Sequence, residues 1–111
     1  MKAKNLVGGI VNNVRNIINA DTDLVLKATD QEVVITRTAA TVITVPLGLE
    51  VGKTFTLYDM GAGRVTVVGQ TVGLNSVSLV SESTTFVSTG QYGVIRLAVV
   101  AANTVVVSGS V

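Results

Sequence analysis

The chain has 111 residues, 48% hydrophobic and only 14% charged, with a net charge of +1 and neither cysteine nor histidine. That length suits one domain with a core of its own rather than two. Without Cys or His there is no disulfide framework, thiolate zinc site, cysteine nucleophile, Ser-His triad or imidazole ligand, and eight scattered Lys and Arg make no basic patch for nucleic acid.

Valine and threonine, 23 and 14 residues, make up a third of the chain. Both are β-branched and suit a pleated, half-buried surface, so all-β is the expected class. High apolar content with little charge also points to surface covered by other subunits. No apolar run approaches the roughly 20 residues of a membrane span. Asn12, Asn13, Arg15 and Asn16 interrupt what would be the apolar core of a signal peptide.

Residues 4–20 differ in pattern from the rest of the chain. Val7, Ile10, Val11, Val14, Ile17 and Ile18, with Leu6, recur at spacings of three and four, the stripe of one short amphipathic helix. Gly8 and Gly9 weaken it by ~1 kcal/mol each relative to alanine, so docking must hold it. It packs on its own domain, or Val7, Ile10, Val14 and Ile17 form a seam between subunits. Few cations and no aromatic on the stripe argue against a membrane surface. The expected division is a docking or oligomerisation helix over 1–20 and a β domain over 21–111.

After the turn residues Asp21 to Asp23, alternation predicts strands at 24–28, 32–37 and 41–45, the last stopped by Pro46, which lacks a ladder donor. From Val51 to Gln70, Phe55 and Leu57 share one face of one strand, and Val65 and Val67 share one face of the next. Between them Asp59-Met60-Gly61-Ala62-Gly63 reads as a hairpin turn whose glycines take positive φ. Residues 69–76 read as loop. Short strands come next at 77–79 and 84–88, then a pair at 92–99 and 104–108 around a turn at 101–103. This spacing predicts a small antiparallel β-sandwich, jelly-roll-like, with no repeat of fixed period.

Four stretches in order, a strand ending in VP, then VGKTFTLYDMGAGRVTVVG, GLNS and GQYGVIRLAVVAANTVVVSG, resemble a small β module of bacteriophage virion proteins. Such modules occur in tail fibres, collars and head fibres. The resemblance covers Asp21 to Val111. It departs at Val105-Val106-Val107, where that family usually carries an aromatic, often Trp. It implies a structural role in a virion and a homotrimer.

Little else suggests chemistry. Asp21, Asp23, Asp30 and Glu32 lack the glycine turn and distal glutamate of a calcium loop and read as a solvated turn. Gly61-Ala62-Gly63 joins strand to strand without the Lys-Ser/Thr of a phosphate loop. Four aromatics are too few for a dense carbohydrate surface. Tyr92 is a candidate subunit contact or a core tyrosine.

The expectation is therefore a non-enzymatic virion protein without cofactor or metal, of the capsid decoration, cement or head-fibre type. Its partners would be further copies of itself and other virion proteins such as the major capsid protein, with no nucleic acid and no membrane. The alternative is a tail-fibre or collar module that binds a host receptor.

Overall fold

A computed structural model of the chain describes residues 17–20, 22–29 and 32–111. Eleven strands succeed one another: β1 (Ile17–Ala20), β2 (Leu24–Val25), β3 (Glu32–Ile35), β4 (Thr41–Val45), β5 (Thr54–Asp59), β6 (Val65–Gly69), β7 (Thr71–Val72), β8 (Asn75–Ser76), β9 (Ser78–Val80), β10 (Gly93–Ala101) and β11 (Thr104–Gly109). The all-β class holds, and no helix occurs among the described residues.

Alternation places the strands. In β4 the burial runs inward at Thr41, Ile43 and Val45, and in β5 at Phe55, Leu57 and Asp59. One face of each strand therefore belongs to the core, as a period of two requires.

The pairing differs from an antiparallel sandwich. Strands β1, β3 and β5 lie side by side and parallel, and so do β2, β4 and β6 in a separate three-stranded sheet. The chain thus alternates between two sheets and climbs by one strand in each, a short solenoid-like stack. Glu32 pairs with Thr56 and Thr41 with Val65, both 24 positions on, whereas Ile17 pairs with Glu32, 15 positions on. Unequal coils explain why no fixed-period repeat is visible in the sequence.

The expected hairpin at Val51–Gln70 does not form. β5 belongs to the six-stranded sheet and β6 to the three-stranded one, and each pairs with the strand of the coil before. Period two reports which face is buried and says nothing of the neighbour. A parallel neighbour needs a long crossover, and here the strand in the opposite sheet supplies it.

Gly61 and Gly63 accordingly serve close approach rather than positive φ; neither is among the positive-φ glycines. Residues 60–64 stack on the corner 36–40, with Met60 and Gly61 N–H donating to Ile35 C=O and Gly63 N–H to Arg37 C=O. A Cβ on Gly61 would lie 2.2 Å from Arg37 O, and one on Gly63 1.9 Å from Ala39 O. Only glycine lets these two corners touch.

Beyond β6 the chain closes the stack. β10 pairs antiparallel with β5 and with β11, and β9 adds parallel to β11, which gives the sheet order β1-β3-β5-β10-β11-β9. The β10–β11 pair and its turn match expectation. The segment read as loop carries the small β7–β8 hairpin, turned at Gly73 and Leu74. The strand expected at 84–88 reduces to one bridge, Thr66 to Val87, flanked by Val67 N–H to Phe86 C=O and Ser88 N–H to Val65 C=O. That segment covers the outer edge of β6.

Ile95 and Leu97 of β10 stand in register with Leu57 and Phe55, and Leu97 with Val107, all of them buried. Ile43, Val45, Val65 and Val67 of the three-stranded sheet join the same core. Burying each such side chain contributes about 1.5–3 kcal/mol.

Candidate functional site

Of the residues expected to make contacts, Val7, Ile10, Val11 and Val14 lie outside the described residues. Ile17 and Ile18 do not continue a helix. They open β1, parallel to β3, with Ile17 against Glu32 and Ile18 against Val33. Ile-Ile is a β-branched pair suited to a strand, and the sheet satisfies this backbone, with Thr36 N–H donating to Ala20 C=O at 3.2 Å. The sheet thus begins at Ile17, inside the segment read as helix.

Tyr92 is 68% exposed and holds a φ of +70°, the left-handed region that a bulky residue seldom adopts. A conformation of this kind costs of order 1–3 kcal/mol and persists only where its surroundings impose it. Here they do. Tyr92 N–H donates to Asp59 C=O, Gly93 N–H to Gly90 C=O, and the Gln91 side-chain amide to Met60 C=O at 3.0 Å. Met60 beside it is exposed too. Tyr92 is therefore a fixed surface aromatic and not a core tyrosine.

Beneath that turn lies a polar pair absent from the expectation. Asp59, read as a turn residue, ends β5 pointing inward and is 1% exposed. Its Oδ2 accepts from Ser88 Oγ at 2.7 Å, and the same hydroxyl accepts from Val65 N–H at 2.9 Å. Asp59 Oδ1 is buried with no hydrogen-bond partner among the described residues. The available signal was its phase, since Asp59 continues the inward series Phe55, Leu57. One carboxylate and one hydroxyl, with no base between them, make a structural tie rather than a reactive pair.

The acidic cluster also resolves into ties between strands and coils. Asp21 and Asp30 lie outside the described residues. Asp23 Oδ1 accepts from Val42 N–H at 2.9 Å and from Arg37 Nη1 at 3.0 Å, joining the first coil to the second. Glu32 Oε1 accepts from Tyr58 Oη at 2.6 Å across neighbouring strands. Among the described residues no group of three His, Cys, Asp or Glu side chains could hold a metal ion.

An open groove of about 300 Å³ runs beside β11, between Ser81, Glu82 and Ser83 on one side and Val106, Val107 and Gly109 on the other. Among the described residues, Glu82 is the single ionisable side chain lining it. Two carboxylates flanking a sugar, as glycoside hydrolysis requires, are not assembled there. In comparison with known proteins, no family model matches the chain, and neither a curated protein nor a solved structure does.

Proposed function

We propose that this chain is a non-enzymatic structural protein of a bacteriophage virion, a capsid decoration or head-fibre protein that assembles with further copies of itself, as a homotrimer, and with other virion proteins. Its N-terminal segment attaches it, and the stacked β domain is displayed. The reading rests on the resemblance to phage β modules, and one structural observation supports it: the stretches that carry the resemblance are the joints of one scaffold. Gly61 and Gly63 of VGKTFTLYDMGAGRVTVVG let two coils touch. GLNS spans the turn of the β7–β8 hairpin, and GQYG makes the Tyr92 turn that bonds to the Asp59 corner. Motifs spent on joints serve a scaffold.

The test is the particle. Purified virions carrying this sequence in their genome should yield its tryptic peptides at a stoichiometry matching a capsid position, and a cryo-electron microscopy map should show the six-stranded sheet on the head. Peptides at tail stoichiometry would favour the fibre or collar reading. Their absence from the particle would refute both.

A further inference from the structure

We propose that copies of this chain meet through the outer face of the six-stranded sheet, with Glu32 of one copy against Arg96 of the next. The proposal deepens the self-assembly in the reading above by naming its surface. Two rows cross that face. Glu32, Thr56 and Arg96 stand in register on β3, β5 and β10, and so do Val34, Tyr58 and Val94. Their inward neighbours Val33, Leu57, Ile95 and Leu97 are fully buried, so these rows point away from the core. The bond from Tyr58 to Glu32 confirms the shared side.

Charge gives this face a direction. Along β3, β5, β10 and β11 its outward positions carry one acid, Glu32, on one side of β5 and one base, Arg96, on the other. Two strand spacings separate their backbones by roughly 10 Å, and the two form no ion pair with each other within one chain. Arg96 is exposed and makes no ion pair among the described residues. Contact between like halves of two faces would set acid on acid and base on base. Contact between unlike halves sets Glu32 on Arg96 and lays Val34 against Val94. Repeated head to tail, such a contact forms a ring where its rotation closes, and the charges set its orientation more than its strength. In a ring of three, each face shares one half with each neighbour.

Sedimentation velocity of the full chain, with circular dichroism to verify the fold, tests this. The wild type should associate at micromolar concentration. Arg96→Glu should weaken association about tenfold or more, and the milder Arg96→Gln should weaken it less, each with an unchanged spectrum. Combining Arg96→Glu and Glu32→Lys in one chain should restore the association that each single variant loses, because every contact between unlike halves is then again opposite in sign. If Arg96→Glu and Arg96→Gln both associate as the wild type does, another surface joins the copies and this inference falls. A wild type that stays monomeric overturns it as well. Neither result bears on whether the chain is found in particles, which the peptide measurement decides separately.

Discussion

Ser88 Oγ donates to Asp59 Oδ2 at 2.7 Å across 29 positions of chain, and both side chains are buried. The hydroxyl also accepts the Val65 N–H at 2.9 Å. One oxygen therefore ties the end of β5, the start of β6 and the segment that covers the edge of β6.

Ser88→Ala removes that oxygen and leaves both a buried carboxylate and a buried N–H without it. Urea unfolding should show a loss of about 1–3 kcal/mol, the desolvation penalty of an orphaned group. Ser88→Thr, which keeps the hydroxyl, should lose less. Equal losses in the two variants would mean that packing rather than the hydrogen bond sets the cost.

Gly61→Ala and Gly63→Ala each press a Cβ against backbone carbonyls of the corner below. Each should cost about 1–3 kcal/mol, as overpacking does. Gly90→Ala is the control. A Cβ there meets nothing within 4 Å, and an unobstructed surface change should stay within about 0.5 kcal/mol. Thermal melts that rank Gly90→Ala with the other two would refute the stacked corners.

Leu57 and Ile95 are register partners with no exposed surface. Leu57→Ala or Ile95→Ala should cost ~2–5 kcal/mol through lost transfer energy and a cavity. Because the two touch, the double variant should depart from the sum of the singles by at least ~0.5 kcal/mol. A loss below about 0.5 kcal/mol at either site would reverse the assigned faces.

Deleting residues 1–16 leaves all eleven strands in place, whereas deleting 1–20 also removes β1 from the sheet edge. Both truncations should keep the far-ultraviolet signature of β structure, but the longer should unfold at lower denaturant. The shorter should already fail to enter particles. If it decorates them at full occupancy, attachment runs through the β domain.

Several features were legible without the fold. β4 spans Thr41–Val45 and stops before Pro46 as expected, and Phe55, Leu57, Val65 and Val67 face inward. These depend on alternation and on a missing N–H, which are local properties. The contact face of Glu32 and Arg96 was not legible, because they lie 64 positions apart in the sequence and stand in one row only when β3, β5 and β10 pair. Tyr92 was singled out, but its φ of +70° comes from hydrogen bonds to Asp59 and around Gly90.

The sequence by itself determined the all-β class, the inward faces of β4, β5 and β6 and the absence of thiol and imidazole chemistry, since side-chain identity and a period of two suffice for these. Tertiary structure alone decided that β5 and β6 part into different sheets, that Gly61 and Gly63 serve contact between coils, and that Asp59 meets Ser88. A five-residue corner between two alternating strands is compatible with a hairpin and with a step between sheets. The choice between them lies in partners tens of residues away, whose stacked carbonyls and apolar side chains complete the pairing.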